Sequence, residues 1–274
     1  MRTTLASEGM HMKRVTYLAL ATCLIAASPA KHATKAPAVA SGSAYAASIQ
    51  GIDCSNIVQR ADQLKPLIPI LRAAIRTDRL QLEKDEYETS AAYEARQAAH
   101  LRALMGGTDR FIAAIPLQSY NFTYHPDEGE MSAGGPFDQD LYHFGRDYGS
   151  AEVTIQIFRD ELGTQHYAAS NAYGATREVE RTDKIRLALL LGKGEVPKLP
   201  LLKMSVPDAR RLKENPMLLV VGELRPPYVS YAFDRSEATI TYPYETRLGS
   251  YALSARLQCA VLTGGGREYY RWTF

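Results

Sequence analysis

The spacing of the apolar residues changes at Gly106-Gly107. Before this pair they recur every three or four residues, as on one face of an α-helix, and after it they alternate with polar residues, as in strands. A glycine pair also supplies the left-handed backbone conformation that ends a helix. We therefore predict an α+β chain, with helices within residues 55–105 and mainly strands within residues 110–274.

The strand-rich part is expected to form one antiparallel structure. Turn residues recur roughly every ten positions after Gly107, which is typical of an antiparallel β-sandwich or a partly open barrel. The apolar run at residues 217–224 predicts a strand that is covered on both faces, and Pro226-Pro227 is expected to end it. The N-terminal helices are amphipathic, so we expect them to pack on this sheet.

Helix signals divide the N-terminal part into three pieces. Ser55 can cap a first helix, which Pro66 and Pro69 are expected to break or kink because proline removes a backbone donor. A second helical piece is expected over residues 76–86. It leads into residues 84–96, where the third helix begins.

Residues 84–96 have the composition of a turn followed by a helix start. Thr89 is a good N-cap, because its hydroxyl accepts a hydrogen bond from a free N–H of the first turn. Strong helix formers then continue to Met105. Tyr87 and Tyr93 are the large side chains of the stretch, and we expect both to pin the turn to the domain.

This stretch resembles a motif in exported bacterial proteins of uncharacterised function. The motif is Phe/Tyr-Glu-Thr-x-x-x-Tyr/Phe-x-x-Arg, present here as Tyr87-Glu88-Thr89, Tyr93 and Arg96. Residues 170–175 and 211–224 resemble further parts of the same pattern. The resemblance implies an exported protein with helices followed by a sheet, and it implies no particular activity.

Residues 1–30 have the layout of a secretory signal peptide. Lys13-Arg14 is a positive segment, residues 15–27 are mostly apolar, and Ser28-Pro29-Ala30 has small residues where a signal peptidase cleaves. Met12 is a plausible start. The apolar run is shorter than the roughly 20 residues that cross a bilayer, so no transmembrane span is expected after removal of the leader. A buried N-terminal helix is the less favoured alternative.

The protein is therefore expected to be exported, to the periplasm or the extracellular space. Lipid attachment at Cys23 is less favoured, because Thr22 precedes it where a small residue is usual. Residues 31–49 are rich in Ala, Ser, Pro and Thr and predict a disordered tether before a single domain at 50–274. Without residues 1–30 the basic and acidic side chains balance, so the charge does not indicate a nucleic-acid partner.

Two cysteines remain outside the leader, Cys54 and Cys259. The alternation from Tyr251 to Val261 places Cys259 on the apolar side of a strand, where a partner can be buried. In an oxidising compartment an even pair of cysteines favours a disulfide, and two separate buried thiols are the alternative. The bond would tie the start of the domain to its penultimate strand.

The chain lacks the common catalytic motifs: no GxSxG, HExxH, CxxC or Walker A sequence occurs. His125 lies close to Asp127, Glu128 and Glu130, which are suitable calcium ligands, but the spaced Asp-x-Asp pattern is missing, so a solvated turn is favoured over a metal site. No catalytic residue, metal site or cofactor is predicted.

Tyrosine is unusually frequent in the C-terminal half. Tyrosines with an apolar body and a polar tip suit a binding face for a peptide or a glycan, although they also favour strands and sheet edges, which is the preferred interpretation. The residues concerned are Tyr228, Tyr231, Tyr242, Tyr244 and Tyr251.

The lack of catalytic motifs, together with these tyrosines, favours a non-enzymatic binding or structural module of the cell envelope. Its expected partner is an unidentified envelope protein or a glycan. The alternative is an envelope hydrolase whose acid–base groups come from distant parts of the chain. Its candidate residues are His125, Asp127, His143 and Asp147.

Overall fold

The computed structural model describes residues 41–139 and 152–274, which belong to one compact unit. Strands account for 48% and helices for 21% of these residues, so the β-rich character predicted from the sequence is confirmed. The predicted signal peptide at residues 1–30, Cys23, His143 and Asp147 lie outside the described residues.

The described residues contain helices α1 to α4 and strands β1 to β10. The helices are α1 (Gly42–Ser48), α2 (Leu67–Arg76), α3 (Ser90–Leu104) and α4 (Val206–Glu214). The strands are β1 (Arg110–Pro116), β2 (Phe122–His125), β3 (Glu130–Ala133), β4 (Phe137–Gln139), β5 (Glu152–Ser170), β6 (Thr176–Lys193), β7 (Leu202–Lys203), β8 (Pro216–Ser236), β9 (Tyr244–Gly264) and β10 (Arg267–Thr273).

One curled sheet, shaped like half a barrel, dominates the architecture. Its strands follow the order β1-β8-β9-β6-β5-β4, and β10 pairs with the C-terminal part of β9. A small second sheet has the order β2-β3-β7. Two large sheets stacked as a sandwich are not seen among the described residues.

The expectation of a wholly antiparallel sheet is wrong at its centre, where β6 pairs with β9 in parallel. The chain between them forms β7, α4 and β8, and a long crossover of this kind is what allows two strands to run in the same direction. The apolar run at 217–224 is a central strand as predicted, because β8 lies between β1 and β9.

The helices cover only part of the sheet. Helix α2 contacts β1, α3 contacts β8 and α4 contacts β9. Buried side chains of the helices and of the sheet form the main core, which includes Leu71, Leu101, Phe111, Leu212 and Val261. Helix α4 comes late in the chain, so the helices are not confined to the N-terminal part.

The expected disordered tether at residues 31–49 is wrong at its C-terminal end, because residues 42–48 form α1. Tyr45 is fully buried there. Its hydroxyl accepts a hydrogen bond from the Ile112 N–H at 2.9 Å and lies 3.2 Å from the Arg110 carbonyl oxygen. Burial raises the pKa of Tyr45 to about 12. A single aromatic residue thus anchors a segment of otherwise loop-like composition.

The expected helices upstream of residue 90 are partly wrong. Residues 54–60 form turns, followed by a short 3-10 helix at Ala61–Gln63, and α2 starts only after Pro66. Residues 77–88 form a loop in place of the predicted helical piece at 76–86. Proline at the first turn is compatible with a helix that begins there, and prolines at 66 and 69 therefore delay α2 instead of kinking it.

Strands β5, β6, β8 and β9 are 18–21 residues long, so the predicted strand at 217–224 is only part of β8. Gly174 lies in the turn that joins β5 to β6, and Pro226-Pro227 does not end β8 but falls in a bulge between Leu224 and Val229. At about 3.3 Å per residue, the two hairpins carry the sheet well beyond the helices. We call residues 162–184 and 229–250 the distal sheet end.

The predicted disulfide is confirmed: Cys54 and Cys259 are joined, with their Cα atoms 6.0 Å apart. Cys259 is fully buried on β9, and Cys54 follows α1 in a turn. The Arg271 guanidinium of β10 donates a hydrogen bond to the Cys54 carbonyl oxygen, so a polar contact accompanies the covalent one. The bond ties the start of the described domain to a central strand, as the alternation around Cys259 indicated.

Candidate functional site

The loop that carried the candidate acid–base residues is a short hairpin between β2 and β3. His125 and Asp127 are exposed there, and the His125 Nε2 atom lies 3.2 Å from the Ser132 hydroxyl. Glu130 pairs with Lys203. Within residues 41–139 and 152–274, no three His, Cys, Asp or Glu side chains converge on a point where a metal ion would fit. The hydrolase hypothesis stays a prediction, since His143 and Asp147 are not described.

The motif at residues 84–96 closes a loop onto α3. The Arg96 guanidinium donates to both carboxylate oxygens of Glu88, at 3.0 and 2.7 Å, and to the Glu83 carbonyl at 2.7 Å. These hydrogen bonds hold the pKa of the Glu88 carboxyl below its usual range. Thr89 caps α3 as predicted by accepting from the Ala92 N–H at 3.2 Å.

The two tyrosines of this motif have different positions. The Tyr93 hydroxyl donates to the Leu82 carbonyl at 2.9 Å, so this residue pins the loop as expected. Tyr87 is 90% exposed, and the expectation that it pins the turn is wrong. The fully buried Gln97 completes the anchor, because its amide bonds the Leu82 N–H and the Leu80 carbonyl, both at 2.9 Å. The motif therefore has a structural role, because it fastens the loop before α3 to that helix.

Exposed apolar side chains concentrate in the distal sheet end. Of the thirteen large, exposed hydrophobic residues in the described part of the chain, eight lie there. They are Leu162, Tyr167, Tyr173, Tyr231, Phe233, Ile240, Tyr242 and Tyr244. Three of the five tyrosines noted in the sequence belong to this set, whereas Tyr228 and Tyr251 pack against the core.

Two turns present tyrosines at the tip of the distal sheet end. Tyr173 is 96% exposed in the turn between β5 and β6, which the Asn171 carboxamide oxygen holds by accepting from the N–H groups of Tyr173 and Ala175, both at 3.0 Å. In the loop between β8 and β9 the rings of Tyr242 and Tyr244 meet edge to face, with centroids 5.1 Å apart. The exposed rings are therefore held by ordered backbone.

A buried carboxylate joins the strands just below the tip. Glu245 of β9 is only 2% exposed. It accepts from the Tyr167 hydroxyl of β5 at 2.6 Å and from the Arg247 Nε at 2.7 Å, and the Arg235 Nε of β8 lies 3.3 Å away. These three residues and Glu245 form what we call the Glu245 network.

The protonation states in the Glu245 network follow from its hydrogen bonds. The bond from Tyr167, together with the two guanidinium groups, lowers the pKa of Glu245, and the same hydroxyl–carboxylate bond raises the pKa of Tyr167. Glu245 is thus ionised and Tyr167 neutral at neutral pH. The network holds three strands together where the apolar core has ended.

A cavity of about 340 Å³ opens beside this network. Tyr167, Val179 and Glu245 line it from the sheet, and Ile240 lines it from the loop between β8 and β9. The Arg177 guanidinium stands at its wall, and it has no ion-pair or hydrogen-bond partner among the residues that the structure describes. The volume falls at the lower end of the range found for ligand sites.

A larger cavity, of about 730 Å³, lies between α2, the chain after β1 and the strands β4 and β5. Arg72, Arg159 and Arg186 contribute positive charge to its lining. One wall runs along β4 to Gln139, where the described residues stop.

Comparison with protein-family models, with curated proteins and with solved structures found no match to this chain. None of the helices in the described residues combines the length and the apolar character needed to cross a lipid bilayer.

The sequence pointed to the tyrosines of the tip but not to Tyr167, Phe233 or Glu245. The sequence did contain a signal for a hairpin that leaves the core. Residues 159–184 are mostly polar, so neither face of a strand formed by them would be apolar along its length. Chemically, the distal sheet end offers aromatic surface, a fixed ionic network and a small cavity. Groups of these kinds can bind a partner molecule.

Proposed function

We propose that this protein is a non-enzymatic binding module of the cell envelope, which holds an envelope protein or a glycan against the tip of the distal sheet end. The observation that carries the proposal is the exposure of Tyr173, Tyr242 and Tyr244 on ordered turns beyond the helices. Tyrosine is enriched where proteins bind partners, because its ring contributes apolar area and its hydroxyl a hydrogen bond.

The concentration of exposed aromatic residues in the distal sheet end supports a binding role. Monomeric proteins rarely expose large contiguous apolar patches, so a group of exposed aromatic residues at one end of a sheet supports an interaction site there. The Glu245 network fixes the strands that carry the rings, which reduces the entropy lost when a partner binds. An envelope location is supported by the leader-like residues 1–30 and by the Cys54–Cys259 disulfide, a bond typical of oxidising compartments.

The proposal is tested by photo-crosslinking in cells. A photoreactive amino acid at position 242 is expected to capture a specific envelope component, and Tyr173→Ser with Tyr244→Ser should reduce that capture at least tenfold. The matched control is Tyr87→Ser with Tyr120→Ser, since these tyrosines are 90% and 78% exposed but lie outside the distal sheet end. Equal capture by both double variants would contradict the proposal.

A further inference from the structure

The outer half of β8 has a free edge. Strand β1 pairs with β8 only from Met217 to Glu223, whereas β9 continues along the other side of β8 to Ser236. No strand of the described residues pairs with residues 229–236 on the β1 side. The N–H and C=O groups on that edge can therefore accept another strand.

On the opposite edge of the sheet, residues 156–163 of β5 are protected and provide a comparison. Strand β5 has irregularities between Gln156 and Phe158 and between Glu161 and Gly163. Asp160 is also tied to α2, at 2.8 Å from the Arg72 Nε. Bulges and charged neighbours of this kind prevent edge-to-edge pairing.

Residues 229–236 of β8 contain two charged residues, Asp234 and Arg235, but no irregularity. Their pairing with β9 is regular, and they contain neither proline nor lysine. Tyr231 and Phe233 lie on one face of the strand and are 39% and 57% exposed. The Tyr231 ring packs on Tyr251 of β9, with centroids 4.9 Å apart, which leaves Phe233 as the most exposed apolar residue of this edge.

We propose that two copies of this protein associate through this edge, with residues 229–236 of β8 pairing antiparallel about a two-fold axis normal to the sheet. The pairing would join the two curled sheets into one continuous sheet. A second copy is the favoured occupant because this edge can pair with itself so that Tyr231 faces an aromatic or a cationic residue and no like charges lie opposite each other. A two-fold pairing brings each residue of the edge opposite another residue of the same edge.

Charge restricts the register of this pairing. A two-fold axis at Asp234 or at Arg235 would set like charges directly opposite each other, which is unfavourable. An axis before Ala232 would bring the bulge at residues 225–228 into the pair and shorten it. An axis at Ser236 would fall on the last residue of the strand, so the two remaining centres are Ala232 and Phe233.

Both remaining registers place favourable groups opposite each other. With Ala232 at the axis, Tyr231 faces Phe233 of the partner subunit, an aromatic pair of the kind that stabilises neighbouring strands. With Phe233 at the axis, Tyr231 faces Arg235 of the partner subunit, which allows a cation–π contact. Neither register uses Tyr173, Tyr242 or Tyr244, so the inference is independent of the proposed binding at the tip.

The first experiment measures mass by sedimentation equilibrium of the purified protein up to about 0.1 mM. We expect a concentration-dependent dimer, and Phe233→Lys should weaken its association at least tenfold by placing a lysine on the edge of each copy. The matched control is Leu162→Lys on β5, because Leu162 is 51% exposed and lies on the protected edge. A wild-type protein that stays monomeric, or equal weakening by both variants, would overturn the inference.

The second experiment reads the register. In a Cys23→Ser background, the native disulfide occupies the remaining cysteines, so an introduced cysteine is the single free thiol. Oxidation should link two copies in either Ala232→Cys or Phe233→Cys, whichever residue lies at the axis, and not in Leu162→Cys. Absence of linkage in both edge variants, or equal linkage in all three, would contradict the antiparallel pairing. If the dimer forms but a photoreactive residue at position 242 captures no envelope component, only the proposed function is contradicted.

Discussion

At the scale of single residues, three buried polar side chains connect segments that no strand ladder joins. Tyr45 ties α1 to β1, Gln97 ties the loop before α3 to that helix, and Glu245 ties β9 to β5. Each is at most 2% exposed. A buried polar group costs free energy unless it is hydrogen-bonded, so these contacts are specific to one arrangement of the chain.

Replacement of Tyr45 by phenylalanine tests the first of these contacts. The ring would stay in the core, but the Ile112 N–H would lose its acceptor. We expect the free energy of unfolding, measured with urea, to fall by about 1–3 kcal/mol. Tyr120→Phe is the control, because Tyr120 is 78% exposed and should give no change. Equal stability of Tyr45→Phe and the wild type would show that the hydroxyl contributes nothing.

The Glu245 network predicts a dependence of stability on pH. Because its folded pKa lies below the ordinary value of 4.5, the ionised carboxylate stabilises the fold at neutral pH. This contribution is lost as the pH falls through the folded pKa. We expect Glu245→Gln to lower the urea midpoint at pH 7 and the difference from the wild type to shrink progressively below pH 4.5. A difference that is constant with pH would contradict the assignment.

At the scale of secondary-structure elements, the contact between the ends of α1 and α3 is the tightest of those made by glycines. Gly42 at the start of α1 lies against the last turn of α3, and a Cβ on Gly106 would fall 2.1 Å from the Gly42 carbonyl oxygen. Gly106 also has a φ of +77°, so it ends α3 in the left-handed conformation as the sequence predicted. The residue that stops one helix therefore also makes room for another.

The variants Gly106→Ala and Gly107→Ala separate the cost of the left-handed backbone conformation from the cost of crowding α1. Both glycines have positive φ, but a Cβ on Gly107 would meet nothing within 4 Å. We expect Gly107→Ala to cost about 1 kcal/mol from backbone conformation alone. Gly106→Ala should cost clearly more, because α1 must also move. Thermal unfolding of the two variants measures the difference, and similar melting temperatures would mean that α1 is not tightly docked.

At the scale of the whole molecule, β9 organises the described chain. It pairs with β8 along one side, and with β6 and β10 along the other. Its C-terminal half carries Cys259 and lies in the core, and its N-terminal half carries Glu245 and leaves the core. One strand thus links the disulfide-tied core to the distal sheet end, where binding and association are proposed.

Removal of the Cys54–Cys259 disulfide tests how much it contributes to the stability of the fold. The bond closes a loop with a sequence separation of 205 residues, which in the chain-entropy model is worth at most about 5 kcal/mol. We expect Cys54→Ser with Cys259→Ser to lower the free energy of unfolding by about 2–5 kcal/mol. The Glu245→Gln effect should be unchanged, because the two sites are far apart in the fold. No loss of stability would show that packing alone holds the N-terminal segment.

Local chemistry in the sequence determined the strand-rich character after Gly107, the N-cap of α3 at Thr89, the left-handed residue Gly106 that follows α3 and the face of β9 on which Cys259 lies. Backbone preference and side-chain alternation act over a few residues, so one chain reveals them. The tertiary structure decided the parallel pairing of β6 with β9 and the meeting of Tyr167 with Glu245, 78 residues apart. It also decided the burial of Tyr45. These features depend on which segments become neighbours, and the order of strands in a sheet is set by the free energy of the whole fold.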